Sequence, residues 1–374
     1  MGWGRKKKPK SDIEHKRGAI LLEDLIKCCD GKSNPIKLFS TDEIRKATDN
    51  FSESNYVYEL SDFDCKWYSG KNENHHKILI KKADDGLYNY RQGHLCRDIA
   101  VSSMVSGHKN FLKLVGCCLE SENPVMVYHG VKKHYKLDLS EETWKRRMKL
   151  AEDITTALAY LHTAFPRPFV HTSMSLGNIF LDEDGVVKLS DFSCCVSIPE
   201  GETFVEVDKV VGTYNYLDDK YMRNGIVSEE TDVFAIGMFM ILKILTGKES
   251  FLDFYLEEKE EEKEQGEGED YGTDYEFESK MRRRLQNWLS KLKEDRRMDE
   301  IADPKMIEKM GQISEQELRQ MQAFLMLSLR CMGHKGEVPT MVEVAKELKK
   351  IQRSLQNDSS SPSGETIFEK CAEN

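Results

Sequence analysis

The sequence predicts an α+β chain in two lobes, a small β-rich one followed by a larger helical one. Two changes of pattern and one bound on size predict it. From about Tyr56 to Tyr128, short apolar runs alternate with turn residues and enclose one helical stretch, Leu95 to Val105, as a small sheet-based lobe requires. From Trp144 the period lengthens: Met148, Ala151, Ile154, Leu158 and Leu161 return every three or four positions, the spacing of one helix face. The 374 residues, 39% of them hydrophobic, are enough to bury a core in each lobe.

The chain opens on a basic tail, Arg5, Lys6, Lys7, Lys8 and Lys10. It reads either as a solvated tail or as a contact with an anionic membrane surface. Met1-Gly2 has Lys6 where a myristoylation site wants Ser or Thr,. Between Gly18 and Cys29, Leu21, Leu22, Leu25 and Ile26 recur at helical spacing opposite Glu23, Asp24 and Lys27, which predicts an amphipathic helix. Its apolar face suits packing on its own domain as well as presentation to a partner. A second short helix follows within Phe39 to Phe51, with Ser40 or Thr41 as cap and Glu43 in the first turn,. These segments form an N-terminal extension, residues 1–50, ahead of the small lobe at 51–130. In the large lobe, 131–355, Val233 to Leu245 is apolar on all sides and belongs in a core, and Met341, Val344, Leu348, Ile351 and Leu355 mark a closing amphipathic helix,. Within that lobe Glu257 to Asp270 carries nine acidic and two basic residues, a composition that reads as a disordered insertion. The serine-rich tail, 356–374, reads as disordered too.

Composition narrows the function. Of the formal charge of −10, the acidic insertion supplies −7, and the basic residues cluster only at the extreme N-terminus, so no nucleic-acid partner is expected. Six of the ten cysteines form adjacent pairs, Cys28-Cys29, Cys117-Cys118 and Cys194-Cys195. That spacing suits neither disulfides nor a zinc site, so reduced buried thiols are expected and no structural metal is. There is no apolar run of about 18 residues and no signal peptide, so the expected location is cytoplasmic, with the basic tail as the one candidate for peripheral contact at the plasma membrane.

One segment carries the chemistry. His171-Thr172-Ser173-Met174-Ser175-Leu176-Gly177-Asn178 has the frame of the catalytic loop H-R-D-L-x-x-x-N of protein kinases, followed by an apolar strand. Ser173 stands at the aspartate. A serine hydroxyl is no carboxylate base near neutral pH, and loss of a positioned base costs ~10²- to 10⁴-fold in rate. The phosphate cradle is missing too: there is no glycine between Gly31 and Gly70, and the corresponding hairpin offers Asp62 and Asp64, which repel phosphate.

The wording of Phe39 to Phe51, Leu114-Val115-Gly116-Cys117-Cys118, Tyr160-Leu161-His162, Lys188-Leu189-Ser190-Asp191-Phe192, Gly212-Thr213 and Pro339-Thr340-Met341 resembles the plant receptor-like cytoplasmic kinases from Phe39 to about Leu355. The altered loop and His162-Thr163-Ala164-Phe165-Pro166 resemble, within that group, the ZED-related pseudokinases. The resemblance implies a two-lobed protein-kinase-like fold and aligns the remaining parts. Lys81, in Ile78-Leu79-Ile80-Lys81, takes the place of the nucleotide lysine and Asp98 that of its helix partner. Asn178 and Asp191 take the places of the metal-ligating side chains, with Ser193 for glycine after Asp191-Phe192. Ser175 stands where these kinases carry a lysine, and Thr172 where they carry the arginine that reads a phosphorylated activation loop.

Lys81, Asp98, Asn178 and Asp191 therefore form a residual site for weak ATP with Mg²⁺. The other reading of the same residues is structural, with Asn178 and Asp191 bonding the loop and Asp191 pairing with Lys81. Asp219-Lys220 replaces proline-glutamate and Val338-Pro339 replaces arginine-proline, so both halves of one family ion pair are gone together.

What the resemblance implies is an adaptor or decoy in plant innate immunity that transfers no phosphate. Its implied partners are a nucleotide-binding leucine-rich-repeat immune receptor and a bacterial effector or a receptor-like cytoplasmic kinase that the effector modifies. The segment Ser193 to Thr213 is the expected exposed sensing surface, with hydroxyls at Ser197, Thr203 and Thr213. The alternatives are a weakly active Ser/Thr kinase and an ATP-responsive switch without turnover.

Overall fold

The computed structural model describes residues 10–29, 36–60, 65–74, 76–83, 91–121, 123–130, 137–248, 298–333 and 337–357. The acidic insertion, the hairpin bearing Asp62 and Asp64, most of the basic tail and nearly all of the serine-rich tail lie outside them.

The small lobe is one six-stranded sheet in the order β1-β5-β6-β4-β3-β2. Its strands are β1 (Lys37–Leu38), β2 (Tyr56–Leu60), β3 (Cys65–Lys71), β4 (Lys77–Ala83), β5 (Leu114–Cys118) and β6 (Val125–His129). All neighbours run antiparallel except β1, a parallel edge on β5. Helices cover both faces: Leu95 and Ile99 pack with Leu79 and Met126 on one, and Ile44 packs with Tyr68, Ile80 and Val127 on the other. Helix α1 (Lys10–Cys29) lies along α3 (Arg91–Val105). It buries Leu21 and leaves Leu22 and Ile26 more than half exposed, so one side of its apolar stripe faces its own domain and the other faces solvent. Arg17, itself buried, donates from Nη1 to the Leu119 carbonyl at 2.9 Å. Helix α2 (Thr41–Ala47) is capped by Ser40 rather than Thr41: the Glu43 N–H donates to Ser40 Oγ at 3.2 Å and the Ser40 N–H to Glu43 Oε2 at 2.7 Å. That reciprocal pair satisfies two of the donors that a helix start leaves orphaned.

Among the described residues the large lobe is helical around three small two-stranded ladders. Helix α4 (Trp144–Thr163) buries Trp144, Met148, Ala151, Ile154, Leu158 and Leu161, the residues its period singles out. It packs against the closing helix Met341–Asn357. After a short helix α5 (Asp219–Asn224), α6 (Glu229–Phe239) continues into a π-helical turn, Met240–Leu245, whose six side chains are all buried. Lys243 is among them, so a residue that breaks the apolar run in sequence does not break the buried segment. Arg147 of α4 is buried against Asp303 and donates to the Ile244 carbonyl at 3.0 Å, tying α4 to the end of that turn. Among the described residues no helix is long and apolar enough to cross a membrane.

Candidate functional site

The cleft between the lobes is organised by one buried cation. Strand alternation puts Lys81 of β4 on the sheet face toward the large lobe, where Nζ lies 2.7 Å from Asp98 Oδ2 and 2.8 Å from Asp191 Oδ1. Asp98 comes from α3 and Asp191 from the turn after β9 (Val187–Leu189), so three elements meet at one ammonium group. The other Asp98 oxygen accepts from the Phe192 N–H at 3.0 Å and from Ser102 Oγ at 3.1 Å. Although one methylene shorter than glutamate, Asp98 therefore reaches both Lys81 and the Asp191-Phe192 turn. Burial would push the Lys81 ammonium pKa down, but the charges of Asp191 and Asp98 outweigh it and hold it well above its ordinary value. Burial would raise the Asp191 pKa, and Lys81 brings it below its ordinary value instead. The salt bridges explain these shifts without any nucleotide.

The catalytic-loop frame is anchored from below. Asp232, on α6, accepts from the backbone N–H groups of His171 at 2.7 Å and Thr172 at 3.0 Å and lies 2.9 Å from His162 Nε2. Burial would raise its pKa, but the His162 hydrogen bond leads the interactions that lower it. Thr172 is held at φ 58°, a left-handed conformation unusual for a β-branched residue,. Its hydroxyl donates to the Cys194 carbonyl at 2.9 Å and its carbonyl accepts from the Thr213 N–H at 3.2 Å. The side chain at the arginine position is therefore spent on joining the loop to the segment after Phe192. Gly212 sits so close to that carbonyl that a Cβ would lie 2.3 Å from the oxygen, which accounts for glycine there.

Ser173 is fully buried, and Asn178 Nδ2 donates to its carbonyl at 2.8 Å and contacts its Oγ at 3.4 Å. Ser175 Oγ accepts from the Gly177 N–H at 3.2 Å, closing the turn that leads to Asn178. Ser175 thus serves the loop's backbone, while the Ser173 hydroxyl meets the Asn178 side chain. Each metal-position residue also keeps one buried oxygen without a partner among the described residues, Asn178 Oδ1 and Asp191 Oδ2. Two such oxygens suit a hard divalent cation such as Mg²⁺. Hence the bonds of the structural reading and the free donors of the metal reading coexist in these two side chains.

The upper wall of the cleft is aromatic. Trp67 of β3 pairs with Lys81 across the sheet and is fully buried. Its ring centroid lies 5.6 Å from that of Tyr128 and 4.9 Å from that of Phe180, which belongs to β8 (Ile179–Leu181) of the large lobe. Neither Trp67 nor Phe180 stood out in the sequence. The signal that could have found them is strand register, which sets Trp67 beside Lys81, and pairing partners cannot be read from one strand alone.

The segment Ser193 to Thr213 is not exposed throughout. Ser193, Cys194, Cys195 and Ile198 are buried, and exposure begins at Pro199. The hydroxyls of Ser197 and Thr213 are buried and have no hydrogen-bond partner among the described residues, whereas Thr203 is exposed. The cause is the short pairing of β10 (Val196–Ser197) with β7 (Phe169–Val170), which pulls the first half of the segment onto the core. Lys220 pairs with exposed Glu230 at 2.8 Å, and Lys220 and Val338 line one cavity of about 420 Å³. The two positions of the missing family ion pair therefore face the same space.

A protein kinase domain model matches residues 65–338. The chain is 67% identical over 368 residues to a "probable inactive receptor-like protein kinase" of Arabidopsis thaliana, covering 98% of this chain and 96% of that one. It is 63% identical to the Arabidopsis "inactive serine/threonine-protein kinase ZRK12", covering 99% of this chain and 87% of that one. To the Arabidopsis "non-functional pseudokinase ZED1" it is 40% identical, over 94% and 99% of the two chains.

Proposed function

From a chain that belongs to the protein kinase family, in its ZED-related pseudokinase branch, we propose an immune adaptor that recognises partners through its surface. The chain is a pseudokinase: relatives at 67%, 63% and 49% identity carry inactive or non-functional in their names. The observation that carries the adaptor reading is the use made of the replaced loop residues. Ser173, Ser175 and Thr172 all bond the loop and its neighbours, so the frame has been retained as scaffold. The partners that this branch supports are a nucleotide-binding leucine-rich-repeat plant immune receptor and a bacterial effector or an effector-modified receptor-like cytoplasmic kinase. The stretch from Pro199 to Lys209, exposed except at Val205 and Val207, is the surface proposed to meet the effector side. The location proposed for it is cytoplasmic, at the plasma membrane where the basic tail finds anionic lipid.

The Lys81, Asp98 and Asp191 cluster favours a second reading, a weakly active Ser/Thr kinase. Labelled ATP with Mg²⁺ or Mn²⁺ and a protein substrate separates the two. The adaptor reading expects no incorporation above background in the native chain and none in Ser173→Asp, because the glycine cradle is missing as well. Incorporation that disappears in Lys81→Ala and Asp191→Ala establishes the kinase instead. A pull-down from leaf extract analysed by mass spectrometry should recover a receptor of the stated class, and its repeated absence counts against the partner assignment.

A further inference from the structure

Nucleotide lysines hold the phosphates of ATP, so a base must lie deeper in the interlobe cleft, between the sheet and the large lobe. In this chain that space is walled by Trp67 and Leu79 above, Tyr128 at the back and Phe180 below, all fully buried. Sheet register makes the grouping specific. Trp67 faces Lys81 and Leu79 faces Tyr128 across neighbouring strands, so all four project from the same face of the sheet. Phe180 alone comes from the other lobe. The Lys81 ammonium lies 5.9 Å from the Trp67 ring centroid, within the range of a cation–π contact.

The decisive quantity is the gap between roof and floor. The rings of Trp67 and Phe180 are 4.9 Å apart at 58°, the spacing of an aromatic pair in direct contact. A planar base inserted between two walls needs about 7 Å, twice a ~3.5 Å carbon–carbon contact. We infer that the Trp67 indole occupies the place of the adenine base and that this protein takes up no adenine nucleotide. The indole makes the bridge between lobes that a bound base would otherwise make. A cavity of about 470 Å³ among the described residues agrees: it lies toward Lys81, His94, Ser193, Lys209 and Thr213 and touches none of the four walling residues. Metal donors are present at Asn178 and Asp191, while the base has no room.

The test uses adenosine, which lacks phosphate and so is indifferent to the missing cradle. Saturation-transfer NMR on the full chain should show no transfer to adenosine in the native protein and clear transfer in Trp67→Val, with the fold of each checked by circular dichroism. Phe180→Leu opens the same gap from below and stands in should Trp67→Val not fold. Transfer to adenosine in the native chain that excess ATP displaces overturns the proposal. So does a folded Trp67→Val that still ignores adenosine, because the indole is then not what excludes the base. Neither result bears on partner binding, so the adaptor reading stands or falls separately.

Discussion

At the scale of single residues, Lys81 is the side chain on which the cleft depends. It is 1% exposed and sits between two carboxylates that are fully buried. Its two charge-assisted bonds hold α3 and the Asp191 turn to the sheet, and its removal strands two anions out of water. Breaking a buried pair by deleting one partner costs ~3 to 5 kcal/mol. Lys81→Ala is therefore expected to lower the denaturant midpoint by an amount of that order even though no nucleotide is involved. If its midpoint matches the native one, the cluster contributes nothing to stability and its retention needs a ligand. Lys81 and Asp191 could be singled out in the sequence because each sits at a fixed offset within a short motif, and Asp98 through the resemblance alone. Trp67 could not, since its meaning depends on which residue faces it across two strands and on Phe180, more than a hundred positions away.

At the scale of elements, the periodic helices were legible and the pairings were not. α4 and the closing helix declare themselves through a buried face every three or four residues. By contrast the parallel edge strand β1 has two residues, too few to carry any pattern, and β10 hides Ser197 through a contact that only tertiary structure reveals. α1 falls between these cases. Its period predicts a helix, but which side is buried follows from Arg17, a charged residue that the apolar pattern ignores. Removing a buried charged donor to a carbonyl costs ~1.5 to 3 kcal/mol, so Arg17→Ala should destabilise the chain by about that much in urea unfolding. Leu22→Glu and Ile26→Glu, on the exposed side, should change stability by less than ~0.5 kcal/mol. Should those two variants prove as damaging as Arg17→Ala, the exposed side is packed after all and cannot serve a partner.

For the whole molecule, the interlobe cleft and the loop beneath it form one network of buried ionised groups, and its pH response follows from their shifts. Asp191 and Asp232 both titrate below the ordinary 3.8. A depressed carboxylate stabilises the fold at pH above its unfolded value, and the gain is lost as acidification carries the pH from there through the lower folded value. Lys81 is raised above its ordinary 10.5, so its contribution is complete below that value and is lost only as the pH rises through the still higher folded one. Both signs leave the neutral range flat with respect to these groups. Melting temperature should accordingly change little on their account between about pH 6 and pH 9 and fall steeply below about pH 4. Asp232→Asn keeps a side chain of similar size but cannot ionise, so it should start from a lower melting temperature at pH 7 and show a shallower acid decline. A variant with the native acid limb would mean that Asp232 is not a source of the loss. The loss would then lie with the remaining depressed carboxylates, Asp191 and Asp182 among them, and the same titration on Lys81→Ala isolates the share of the Lys81 cluster.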